Sequence, residues 1–390
     1  MEPRGTAATC PHPRRVATIP VFKPLLANEE LAACRAVLDE GWLGMGRQVG
    51  EFEASLEQLV GLAGRRVCAV STGHAALHLA LLLAGVGPGD EVVTASFTNI
   101  ADLQAILACG ADVVFADVRD DTLCLDLDHA EELIGSRTRA VIAVDYACHF
   151  CDHERLAALA AKLELRIVHD AAHSFGSLYG GRRVGSFSDI AMFSFDPVKT
   201  ITCIDGGALV VRSDGELEQL REMRLIGMGQ PAGVMYENRR AWTYDVRRLG
   251  FRYHLANLHA AIGLAQLAKL DLFARNRRTY CAWYEERFGP LEGIHTPGTL
   301  ADGVVPFLYY LRIADGRRSE FQRHLAEGGI DSGLHWQPGH TFSLFRGCRR
   351  GDLTVTGKVA DEIVTIPLHS EMSEHTLERI AAAVESFPRR

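Results

Sequence analysis

Three stretches of this chain place reactive or anion-binding groups just after what read as buried strands. In Phe193-Ser194-Phe195-Asp196-Pro197-Val198-Lys199 a lysine follows an apolar run and precedes a glycine turn, Cys203-Ile204-Asp205-Gly206-Gly207-Ala208. A primary amine there can condense with an aldehyde or, when neutral, move a proton. In Val168-His169-Asp170-Ala171-Ala172-His173 an acid ends a buried strand. A carboxylate at that depth needs a guanidinium, an ammonium or a protonated ring nitrogen beside it. In Ser71-Thr72-Gly73-His74 a glycine turn opens an apolar helix, where unpaired N–H groups and the positive end of the helix dipole can receive a phosphate.

Each stretch also has a plainer reading. Lys199 alone is a solvated loop residue, Asp170 alone is held by backbone N–H groups, and Ser71 or Thr72 alone caps a helix. Together they are the three anchors of pyridoxal phosphate: a turn for the phosphate, an acid for the pyridinium nitrogen and a lysine for the Schiff base. Competing motifs fail. No G-K-[ST] follows the turn, and Gly85-Val86-Gly87-Pro88-Gly89 and Gly44-Met45-Gly46 each follow a helix, where a dinucleotide fingerprint needs a strand. Cys148-His149-Phe150-Cys151 has redox or half-zinc spacing, but no second pair completes a tetrahedral site, so no metal is expected.

These residues need elements to position them. Strands are expected over Val67–Val70, Glu91–Thr94, Val113–Ala116, Ala140–Val144, Leu165–Val168, Ile190–Phe195 and Gly207–Val211. Helices are expected over Asn28–Asp39, Val49–Val60, Gly73–Leu83, Ile100–Ala108, His129–Ile134, Glu154–Leu163 and Leu255–Leu270. The strands are continuous Val/Ile/Ala runs, so both faces are covered. Alternation with helices then gives an α/β fold whose mostly parallel seven-stranded sheet is sandwiched by helices. In such sheets ligands sit at the carboxyl ends of the strands, where all three stretches fall. Residues 1–18 read as a leader, 19–270 as a large domain and 271–390 as a smaller α+β domain. The smaller one has a strand near Phe307–Ile313 and a terminal helix, Glu374–Phe387.

Composition narrows the classes. The 390 residues carry a net charge of −8 without a basic stripe, which argues against nucleic-acid binding. The longest apolar candidate, Ala75–Val86, contains His78 and is too short to span a membrane. The amino terminus has no apolar signal core, and ten scattered cysteines suit a reduced cytoplasmic protein.

The chain resembles the DegT/StrS-type sugar aminotransferases, a fold type I group of pyridoxal-phosphate enzymes, from about Ile19 to Phe387. The likeness rests on Gly41-Trp42-Leu43, Glu51-Phe52-Glu53, Gly89-Asp90-Glu91-Val92-Val93, Asp170-Ala171-Ala172-His173, Phe193-Ser194-Phe195, Lys199, Gly206-Gly207-Ala208 and Ala260–Leu267. It implies that Lys199 is the aldimine lysine and proton-shift catalyst, and that Asp170 keeps the ring nitrogen protonated. It implies that His173 lies near the ring hydroxyl, and that Ser71, Gly73, His74 and Ser194 hold the phosphate. Arg252, in Gly250-Phe251-Arg252-Tyr253-His254, is implied to reach the neighbour's phosphate in a homodimer with shared sites. Substrate contacts are expected from Trp42, His149, His254, His335 and His340. The implied reaction takes an amino group from glutamate, leaves pyridoxamine phosphate, and passes the group to a keto-sugar nucleotide. Relatives that are sugar dehydratases carry histidine in place of the lysine, so Lys199 argues against that alternative; a non-catalytic regulator on the same fold is the other. At Asn99 many relatives have a ring that stacks on the cofactor, which leaves Phe97 or His74 to replace it.

Overall fold

The computed structural model describes residues 18–61, 64–229 and 232–388. The leader expected over residues 1–18 lies, but for Thr18, outside them. The apolar runs form strands β1 (Arg66–Val70), β2 (Glu91–Ala95), β3 (Asp112–Ala116), β4 (Thr138–Val144), β5 (Arg166–Asp170), β6 (Ile190–Ser194) and β7 (Gly207–Val211). Later in the chain come β8 (Ile294–His295), β9 (Tyr309–Ile313), β10 (Arg349–Arg350) and β11 (Ile363–Ile366).

The large sheet runs β1-β7-β6-β5-β4-β2-β3-β10. It has eight strands rather than the expected seven, because the two-residue β10 adds to the edge of β3. Only β7 runs against its neighbours, β1 and β6. The chain moves outward from β2 to β3, then returns to the other side of β2 to lay down β4, β5 and β6. That reversal opens a crevice at the carboxyl ends of β2 and β4.

Helices cover both faces. They are α1 (Asn28–Glu40), α2 (Arg47–Val60), α3 (Gly73–Leu83), α4 (Ile100–Ala108), α5 (Leu127–Leu133), α6 (His153–Leu163) and α7 (Asp214–Met223). One apolar cluster joins α3 and α4 to the sheet; another joins α2 to the opposite face through Phe52, Phe175, Phe193 and Phe195. The helix expected over Leu255–Leu270 is shorter, Asn257–Leu267 (α8), and a second, Leu270–Phe288 (α9), follows a break at Ala268 and Lys269. The three-stranded sheet β8-β9-β11 packs with α9, Arg318–Glu327 (α10) and Glu374–Glu385 (α12), while Thr354–Glu362 (α11) leads into β11.

The free edge of β1 is closed by charge. Glu53 Oε1 accepts from Ala69 N at 2.8 Å, and Glu57 Oε1 accepts from Val67 N at 3.0 Å. Arg224 Nη1 donates to Ala69 O at 2.6 Å and pairs with Glu53. Both Glu53 and Arg224 are buried. An edge strand whose donors and acceptor are taken by side chains cannot pair with another chain there.

Candidate active site

A cavity of about 500 Å³ lies at the strand ends, lined in part by Thr72, Gly73, His74, Asn99, Asp170, His173, Ser194, Lys199, Phe307, His335 and Trp336. Every strand from β1 to β6 except β3 contributes a residue at or just beyond its carboxyl end. Sequence-distant Phe307, His335 and Trp336 close it from the side of the smaller sheet.

The phosphate-sized corner is the start of α3. Thr72 caps the helix, its Oγ1 accepting from Ala75 N at 2.9 Å. The N–H groups of Gly73 and His74 begin the helix and have no intrahelical acceptor. Ser194 stands against them: a Cβ added at Gly73 would come 2.8 Å from Ser194 Oγ. Gly207, first residue of β7, pairs with both Val70 and Ser194. A Cβ there would meet Thr72 O at 2.4 Å and Gly73 N at 2.9 Å. Gly207 is thus what lets β7 pass beside the turn.

Asp170 is the last residue of β5 and is buried; its Oδ1 accepts from Ala172 N at 2.9 Å. Burial pushes its carboxyl upward, opposed by that N–H and by the Lys199 charge. Lys199 follows the turn after β6, its Nζ 4.2 Å from the centre of the Phe307 ring. Burial of the ammonium lowers its pKa, against the pull of Asp170, Asp196 and Asp102. A lysine so placed gives up its proton more readily than one in water. His173 is stacked on Trp336 at 4.9 Å and packed on Phe307 at 4.3 Å, and its Nδ1 accepts from Ala147 N at 3.2 Å. Burial holds it neutral, with the Lys199 charge adding to the effect. His335 is pushed down to about 4 by burial and by Lys199.

The structure brings together Lys199, Asp170, Gly73, His74, His173, Ser194 and His335. Ser71 does not line the cavity; its neighbour Thr72 does. Trp42, Arg252 and His254 line a different groove of about 620 Å³, with Trp242 and Tyr244. His149 is turned to the Tyr310 hydroxyl at 3.2 Å, because its ring sits in the aromatic layer behind the cavity. His340 takes the Ser96 hydroxyl at 2.7 Å and lines a third groove of about 340 Å³, which shares Trp336 with the Lys199 cavity. Of the rings considered for Asn99, His74 lines the cavity, whereas Phe97 is buried against Tyr146 and Trp336.

Behind the site lies a network that sequence reading missed. Asp145, just after β4, accepts from the His153 ring at 2.9 Å, the His169 ring at 2.7 Å, Ser174 Oγ at 2.7 Å and Cys151 N at 3.0 Å. The Ser188 hydroxyl meets the other His169 nitrogen at 2.6 Å. These are hydrogen-bond separations, and His169 and Asp170 point to opposite faces of β5 as successive strand residues must. The network therefore braces the strand that carries Asp170. Cys148 and Cys151 are buried, Cys148 pushed up to about 12 by burial and Cys151 raised by contact with Cys124 and burial. Neither is a reactive thiolate, so the C-x-x-C spacing carries no redox site.

A family model described as the DegT/DnrJ/EryC1/StrS aminotransferase family matches residues 24–385. Among solved structures, the chain is similar to the aminotransferase TlmJ from Streptoalloteichus hindustanus: 32% identity, TM-score 0.86, covering 94% of this chain and 97% of that one. It is similar to the sugar aminotransferase CalS13 from Micromonospora echinospora: 29% identity, TM-score 0.84, covering 94% and 99%. It is also similar to Spr1654 from Streptococcus pneumoniae in its PMP form: 26% identity, TM-score 0.87, covering 94% and 98%. Matched over almost its whole length, with its strand-end lysine and acid in one cavity, the chain belongs to the DegT/DnrJ/EryC1/StrS aminotransferase family.

Proposed function

We propose that the Lys199 cavity binds pyridoxal phosphate and moves an amino group from glutamate to a keto sugar carried on a nucleotide. The observation that carries this reading is one cavity holding a lysine whose pKa is lowered, a buried acid and an open helix start. The donor set fits the cofactor: N–H groups and a hydroxyl at one end for a phosphate, a carboxylate at depth for a ring nitrogen, an amine between. When bound, pyridoxal phosphate supplies an aldehyde that condenses with primary amines and a protonated ring that draws electrons from the neighbouring Cα–H bond.

The chain's own residues do the rest. The start of α3 and Ser194 hold the phosphate. Asp170 keeps a proton on the ring nitrogen. Lys199, neutral once displaced, would take the proton from the donor's Cα and deliver it to the cofactor's former aldehyde carbon, two bonds away. His173 and Trp336 pack around this centre and exclude water, while His335, kept neutral, offers a hydrogen bond without a competing charge. A sugar nucleotide is longer than this cavity, and the adjoining groove beyond Trp336, with Arg318 and His340, gives it room. The exposed Trp242, 86% accessible, shares a groove with Arg252 and favours a homodimer in which Arg252 reaches the partner's site.

Lys199→Ala tests the core of this reading. Wild-type protein supplied with pyridoxal phosphate should turn yellow, bleach with glutamate and, after borohydride, carry the reduced cofactor on Lys199. The variant should do none of these. A colourless wild type, or a variant that still turns over, refutes it.

A further inference from the structure

A second carboxyl lies against the ring-binding acid. Asp102 is in the first turn of α4 and is wholly buried. Its Oδ2 accepts from the Thr98 hydroxyl, while its Oδ1 has no donor among the described residues. The Asp102 and Asp170 side chains are hydrogen-bond partners, and the buried Oδ1 is the oxygen of Asp102 that no other group occupies. Two buried carboxylates in contact cannot both stay ionised; one proton shared between them turns repulsion into a hydrogen bond. The other charges bearing on the pair are Lys199, which favours both anions, and Asp145 from beyond β4, which disfavours ionisation of Asp170. Asp170 already has a backbone N–H that favours its anion, whereas Asp102 has only one hydroxyl. The proton therefore belongs to Asp102, whose pKa is raised well above the ordinary carboxyl range, first by burial and then by Asp170.

We propose that Asp102 is a positioning residue: a neutral carboxylic acid whose Oδ1–H donates to Asp170, fixing that carboxylate's rotamer and spreading its charge. Asp170 then meets the ring nitrogen as an oriented, weaker base, so the proton stays on the ring. This second role rests on the cofactor reading above; the protonation of Asp102 does not.

Two variants separate the contributions. Asp102→Asn keeps an N–H donor of nearly the same shape, and Asp102→Leu removes the donor. The first readout uses apoprotein unfolded by urea from mildly acidic to mildly basic pH. A carboxyl whose folded pKa is raised holds a proton that the unfolded chain releases, so stability falls as pH rises toward the folded value. The wild-type folding equilibrium should lose ground to Asp102→Asn by up to about tenfold per pH unit. The second readout is the pH midpoint of the cofactor's visible band on Lys199. It should stay put in Asp102→Asn and rise by roughly half to one unit in Asp102→Leu, where Asp170 becomes the stronger anion. A pH-independent gap between wild type and Asp102→Asn overturns the proposal, as does an unmoved midpoint in Asp102→Leu. A wild type that never colours overturns the cofactor reading alone, and the apoprotein measurement still decides the protonation of Asp102.

Discussion

Gly207 offers a test of how closely the phosphate corner is built. It starts β7 between Val70 and Ser194, with its Cα against the Thr72–Gly73 peptide. Gly207→Ala would put a methyl 2.4 Å from Thr72 O, where ordinary contact begins at 3.4 Å, so the turn must retreat by about 1 Å (3.4 − 2.4). The neighbour is backbone, anchored by the Thr72 cap and the β1–β7 ladder, and cannot rotate away as a side chain would. Overpacking of this kind costs about 1–3 kcal/mol. A displacement of about 1 Å in a positioning element costs catalysis about 10²-fold. The assay is urea unfolding of apoprotein, followed by cofactor titration and the rate of bleaching by glutamate at saturating cofactor. Gly135→Ala is the control, since its methyl would have nothing within 4 Å; its stability should change by less than about 0.5 kcal/mol. A Gly207→Ala protein that folds, holds cofactor as tightly as wild type and bleaches at the wild-type rate would show that the turn does not hold the phosphate.

Glu53→Ala should destabilise the fold by about 3–5 kcal/mol in urea, because it leaves the wholly buried Arg224 guanidinium without its counter-ion; Glu53→Gln should cost less, since it keeps an oxygen for Ala69 N. His335→Asn should make apoprotein more tolerant of acid. The native ring titrates near 4 and the unfolded one near 6.5, so stability is lost as pH falls between those values, by up to about 3 kcal/mol before allowance for the ring's partial exposure. Equal acid slopes for the two proteins would remove the neutral His335 from the argument.

Lys199 and Asp170 were legible because one follows and the other ends a buried apolar strand, and in a parallel sheet the carboxyl ends of the strands are where a ligand sits. The alternation itself gave the strands from β1 to β7 in order. Asp102 was not legible: one acid in the first turn of an apolar helix reads as a complement to the helix dipole, and only the tertiary fold brings it to Asp170. Phe307, His335 and Trp336 were scattered in a different part of the chain and meet Lys199 by tertiary packing. Of these only His335 stands out in the sequence, for its chemistry rather than its place. The two-residue β10 has arginines where a strand signal needs β-branched or aromatic residues. The break at Ala268 and Lys269 carries neither Gly nor Pro, so α8 and the start of α9 read as one helix.

The site's charge balance explains why these parts belong together. Asp145 is an anion held well below the ordinary carboxyl range by His169 and His153 despite its burial, and it faces away from the cavity. Its field and the desolvation of Asp170 both work against a second anion at the end of β5. Lys199 offsets part of that cost, but an amine spent on binding an aldehyde and moving protons gives up its charge for part of each cycle. A neutral Asp102 lowers the cost by donating rather than repelling. What remains is a buried, oriented carboxylate still short of a permanent cation, and a ring nitrogen that keeps its proton is the partner such a group would hold most tightly. Replacing Asp170 by a neutral residue should therefore relieve strain in the apoprotein even as it loosens the ring, an opposition that a merely structural aspartate would not show.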